Sequence, residues 1–369
     1  MTAASEEAAA ALEAAFNSRD EGCSADMPRV GLFGNGIPEV VVAAAGACPV
    51  HLSMGRRALP HAIEQVIEPF VDAEARIFLN RLMQGDFAGY AGILFARDDI
   101  AALTAYQYAA EWIRQGQGAA GVPPLFLWNF VHTASEAAQA FNRIQLEKLT
   151  DFLQGQGLAQ PQHGWARAAG HEKSRRQALQ RLEAWQGRGQ GGATAMQWRN
   201  AGRFMPAERH AELLEKALAA AGAPRGGRRL GLVGSPLACV ETYRAFESLG
   251  PIVCDLQPWG SVWPGDPAAV SEPASLLQAL ASDAASARIV PASAHRGALL
   301  RALETRRCDL VICQISQTDD SFGWEIPSLE AELRARGIGF VNLGFRDPEP
   351  DEAWRIAAAA RLAGAGVPA

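Results

Sequence analysis

Twice in this chain an apolar strand pattern runs into a pair of aspartates and then into a helix. Gly92–Phe95 is followed by Ala96-Arg97-Asp98-Asp99 and an apolar-periodic helix over 100–114. Leu310–Ile315 stops at the polar turn 316–321, which holds Asp319 and Asp320; Glu325 follows, and the spacing predicts a helix opening after Pro327. Short apolar runs that alternate with helical segments are the pattern of an α/β protein with parallel sheets covered on both faces. In such sheets ligands bind outside the carboxyl ends of the strands, where these turns lie. An aspartate just ahead of a helix is also what an N-terminal cap requires. Both readings stand on the residues alone.

Length and charge narrow the classes. At 369 residues the chain is long enough for about two domains. A net charge of -6 provides no basic field for a phosphate backbone, which points away from nucleic acid. No stretch reaches the roughly 20 apolar residues of a membrane span. The N-terminal stretch lacks the basic start and apolar run of a signal peptide, so the expected location is the cytoplasm. There disulfides are disfavoured. The six cysteines include no C-x-x-C pair, and most of them read as plain buried thiols.

The chain divides by texture. Residues 1–27 form an N-terminal helical arm, an Ala/Glu-rich amphipathic helix or a frayed tail. Residues 28–154 and 227–369 each alternate strands with helices. Between them, 155–226 lose the strand signal and turn rich in Gln, Arg, Gly and Trp, which predicts a helical bridge. In the first lobe a strand over 30–33 leads into Gly34-Asn35-Gly36-Ile37-Pro38-Glu39. Gly34 and Gly36 permit a tight strand-to-helix turn. Pro38 suits a first helical turn, and Glu39 faces the positive end of that helix. Apolar spacing predicts one long helix over 62–84.

The stretch 34–52, GNGIPEVVVAAAGACPVHL, and the stretch 324–343, WEIPSLEAELRARGIGFVNL, together give a resemblance. The chain resembles the 2-hydroxyacyl-CoA dehydratase and benzoyl-CoA reductase subunits, of the kind of the 2-hydroxyglutaryl-CoA dehydratase D-component. The family's Gly-x-x-Pro-Glu turn and Ala-Ala-Gly-x-x-Pro helix end are matched by Gly36 or Gly34, Pro38, Glu39, Ala44, Ala45, Gly46 and Pro49. Its Glu-x-Pro-x-Leu helix start is matched by Glu325, Pro327 and Leu329. The resemblance covers about 28–345. It implies two Rossmann-like lobes with parallel sheets, and a dimer of related subunits. It also implies a four-iron, four-sulfur (4Fe-4S) cluster held by three strand-end cysteines, an ATP-dependent activator that supplies one electron, and an acyl-CoA substrate.

The sequence departs from that pattern at all three cluster positions. The first turn reads Asp98-Asp99, the second Gln257-Pro258-Trp259-Gly260, and the third Asp319-Asp320. Thiolates suit iron–sulfur clusters, whereas carboxylates prefer hard cations. The expectation is therefore a chain without the cluster, paired with a cysteine-bearing subunit of the same family or with itself. Glu39, Asp98, Asp319 and Glu325 are the catalytic candidates of the cleft. Gly36, Pro38, Asp99, Trp259 and Asp320 are the substrate-binding candidates. The alternative is a repurposed homodimeric enzyme or binding protein that uses the acidic interlobe cleft for acid–base work or for a divalent cation.

Overall fold

Strands that are apolar on both faces need helices on both sides, and both halves of the chain meet that need in the same way. In the computed structural model the first lobe contains β1 (Arg29–Phe33), β2 (Cys48–His51), β3 (Tyr90–Ala96) and β4 (Leu125–Trp128), in the order β2-β1-β3-β4. The second contains β5 (Leu230–Gly234), β6 (Ile252–Asp255), β7 (Leu310–Ser316) and β8 (Gly339–Arg346), in the order β6-β5-β7-β8. Every pairing is parallel. Each lobe is thus a Rossmann-like unit whose strand order reverses between its first and third strands, the place where open sheets leave a ligand crevice. The structure describes residues 3–19, 27–53, 59–117, 121–133, 135–219, 226–260, 270–282, 292–319, 321–347 and 350–364.

Around these sheets lie α1 (Ala3–Ser18), α2 (Glu39–Ala44), α3 (Ala73–Gln84), α4 (Ile100–Arg114) and α5 (Glu136–Gly155). The bridge is α6 (Pro161–Gly187), α7 (Gly192–Ala201) and α8 (Ala207–Leu218). The second lobe adds α9 (Val240–Phe246), α10 (Pro273–Ser282), α11 (Ala292–Thr305), α12 (Phe322–Ala335) and α13 (Glu352–Gly364). Among the described residues, no helix is long and apolar enough to cross a membrane.

Three sequence expectations change, and one open choice is settled. The helix expected over 62–84 is a short 3-10 turn, Ala62–Gln65, and then α3. Pro69 interrupts the run, and Asp72 restarts it by accepting from Glu74 N at 2.8 Å. α12 opens at Phe322, before Pro327. Asp319 Oδ1 accepts from Ser321 N at 3.1 Å and Phe322 N at 3.0 Å, so the cap sets the start and the proline sits inside the helix. α1 is no frayed tail: Leu12 and Phe16 are buried, and the helix packs on α7 and α8. Finally, Cys48 is disulfide-bonded, not a plain thiol.

Candidate functional site

A cavity of about 530 Å³ lies between the lobes, within the range of small-molecule sites. Its walls include strand ends from both sheets: Gly34 after β1, Asp98 and Asp99 after β3, Ser235 after β5, Trp259 after β6 and Asp319 after β7. Gly34 has φ +95°, and a Cβ there would stand 2.8 Å from Ala96 Cβ and 3.2 Å from Asp99 Cβ. Only glycine lets this loop lie against the β3–α4 turn.

The acidic groups of the cavity have separate tasks. Asp99 caps α4, its Oδ1 accepting from Ala102 N at 3.1 Å. Asp319 caps α12, and its Oδ2 accepts from Ser235 Oγ at 2.7 Å. Asp72 holds Thr318 Oγ1 at 2.5 Å, a hydrogen bond that ties the first lobe to the second. Asp98 differs: its Oδ2 lies 2.7 Å from His132 Nε2. The His132 ring is buried, touches Phe130 edge-on at 4.9 Å, and has a buried Nδ1 with no hydrogen-bond partner. His132 is not legible as a site residue in the sequence, since a lone histidine past a strand carries no spacing signal. Replacing Asp99 with alanine removes a helix cap and should cost about 1 kcal/mol, read as a lowered urea midpoint with no change in the Asp98–His132 pair.

Four of the candidates named from sequence do not line the cavity. Glu39 lies behind it in a buried ion network. Its carboxylate meets His51 Nε2 and Arg175 Nη1, each at 2.8 Å. Arg175 and Arg176 in turn hold Glu172 at 2.7 and 2.8 Å. Arg203 lies 3.1 Å from His51 Nδ1, which fixes His51 as the neutral tautomer that donates from Nε2 to Glu39. Burial opposes the charge on Glu39, but Arg175 and His51 outweigh it and hold the carboxyl below the usual range. Burial, then Arg203, pushes the His51 pKa down. Gly36 accepts from Trp128 Nε1 at 3.1 Å, and Pro38 precedes α2. Glu325 lies half-buried on the side of α12 that meets α11, paired with Arg296 at 2.8 Å. Asp320 lies outside the described residues.

Thiols are the remaining question. Cys254, Cys308 and Cys313 are 3%, 5% and 0% exposed and belong to the core under β7. A hydrogen bond from the Cys254 thiol to Cys308, then burial, raises the Cys254 pKa, and burial pushes Cys313 up to about 12. Such groups stay protonated and packed, whereas a cluster ligand must be a thiolate. Among the described residues Cys239 is the one thiol that lines the cavity. At the second turn Gln257 is buried, donating to Asp255 Oδ1 at 3.0 Å and Tyr243 OH at 3.1 Å. These residues do not fit an iron–sulfur cubane with three protein thiolates. Nor is there, among the described residues, a group of three or more His, Cys, Asp or Glu able to hold a metal ion.

Paired parallel sheets with opposed switch points and a cavity between them define a two-lobed α/β protein of the ligand-cleft class. The model of the family "2-hydroxyglutaryl-CoA dehydratase, D-component" matches residues 35–355, and the chain belongs to that family. No curated protein sequence matches the chain at a significant level.

Proposed function

We propose that this chain is a subunit of a dehydratase or acyl-CoA reductase complex that carries no iron–sulfur cluster itself. It pairs with a related subunit that holds the cluster and receives the electron from an ATP-dependent activator. The observation that carries the reading is the content of the three strand-end turns: Asp98-Asp99, Gln257-Pro258-Trp259 and Asp319, where cluster-bearing relatives need thiolates. Family membership supports the reaction class, and the cavity supports a site for the acyl end of a thioester. The test is to mix the purified chain with a family subunit that has all three turn cysteines. Light scattering should find a stable heterodimer in which iron partitions with the partner. Two non-associating proteins would overturn the reading.

A second reading is favoured by one observation, the Asp98–His132 pair at the cavity wall. A carboxylate backed by a buried imidazole is suited to proton transfer, so the chain alone could act as a homodimeric enzyme on an acyl-CoA. Turnover of a 2-hydroxyacyl-CoA by the isolated chain, lost in Asp98→Asn, would favour it. No turnover without a partner would remove it.

A further inference from the structure

We infer that α1 is the end wall of the interlobe cavity and sets the size of the ligand it admits. The family match begins at residue 35, so this helix lies outside the matched region. It is nonetheless built into the molecule. Ser5 Oγ donates to Ala217 O of α8 at 3.2 Å, and Ala8, Leu12 and Phe16 are buried against the bridge. That stripe, at i, i+4, i+8 and further, is one face of the helix.

The last turn of α1 reaches the site. Phe16, Asn17 and Arg19 all line the cavity. Arg19 adopts φ 56°, a left-handed residue that ends the helix, and its guanidinium lies over the Phe16 ring at 5.2 Å. An apolar ring backed by a cation thus closes one end of a space otherwise lined by strand ends and by residues of α3, α4, α9 and α13. Phe16 limits depth, and Asn17, exposed to solvent, stands at the opening. A cavity of about 530 Å³ takes a ligand of ordinary drug size. The acyl end of a thioester would enter, and the wall would limit its length. This use of the wall rests on the proposed acyl-CoA reading; the wall itself does not.

Two measurements on the full-length protein separate those claims. The first uses Cys239 as a reporter, with Cys239→Ala as the background. Alkylation by iodoacetamide and by a bulky fluorescein maleimide is timed in the wild type, Phe16→Ala and Asn17→Trp. The expected result is several-fold faster bulky labelling in Phe16→Ala and several-fold slower labelling by both reagents in Asn17→Trp. Asn17 is a surface position, so that variant decides the matter even where Phe16→Ala does not fold. Unchanged rates in Asn17→Trp overturn the inference. The second is calorimetry with acetyl-, hexanoyl- and benzoyl-CoA. Phe16→Ala should shift preference toward the longer and bulkier acyl groups, and an unchanged ranking would count against the wall. If no thioester binds any variant while labelling rates respond as expected, the acyl-CoA reading fails and the wall stands.

Discussion

Replacing Arg175 with methionine should destabilise the protein by about 3–5 kcal/mol, the range for removing one partner from a buried ion pair. Arg175 is the hinge of the buried network, bonded to Glu39 at 2.8 Å and to Glu172 at 2.7 Å. It joins the bridge helix α6 to the first lobe through α2, which packs directly on α6. Without it, Glu39 keeps only His51 as a close partner, and Arg176 alone faces Glu172. Two carboxylates are then under-compensated away from water, and each costs more than the lost contact itself. Urea unfolding of the variant measures the loss. Arg175→Met combined with Glu39→Leu should recover part of it, because the orphaned charge goes too. A loss below about 1 kcal/mol would mean that the network is solvated and carries little of the stability.

The second large effect is acid lability. His210 is buried in the bridge, with Nε2 donating to Trp198 O at 2.8 Å and a buried Nδ1 that has no partner. Burial lowers its pKa from 6.5 to about 4. The unfolded chain therefore takes up a proton as the pH falls below about 6.5, while the folded chain resists until about 4. Stability is full above the unfolded value and falls across that window, by on the order of 3 kcal/mol for this residue. His51, also lowered, adds to the loss in the same direction. Glu39 contributes at the acidic end: its folded pKa lies below the ordinary 4.5, so its stabilisation is lost as the pH falls past that value. Urea midpoints between pH 8 and pH 4 should decline most steeply below about 6.5. His210→Gln should flatten that decline, and an unaltered profile in this variant would contradict the assignment.

Much of the architecture was legible because parallel strands buried on both faces are written as continuous apolar runs. Leu310–Ile315 and Gly92–Phe95 could be read directly, and the loss of such runs over 155–226 marked the helical bridge. What failed was local capping chemistry. Pro327 drew the predicted helix start several residues too late, because Asp319 caps from further back. The strand-end turns pointed to the cavity, since topology alone sends the ends of β3, β6 and β7 there. Glu39 could not be placed in the same way. A glutamate at a helix start looks alike whether it faces a ligand or an arginine, and Arg175 is 136 positions away in sequence, as 175 minus 39. His132 and the end of α1 were illegible for the same reason, because their roles depend on contacts between distant elements.

Whether the strand-end turns of this chain hold an iron–sulfur cluster is read from iron binding. The protein should be purified without oxygen and then incubated with ferrous iron, sulfide and a thiol reductant. Iron, acid-labile sulfide and visible absorption are measured after gel filtration. The expected result is a colourless protein with sub-stoichiometric iron, identical in Asp98→Ala and Asp319→Ala. A brown protein with stoichiometric iron and sulfide, and the broad visible band of thiolate-bound iron, would contradict it.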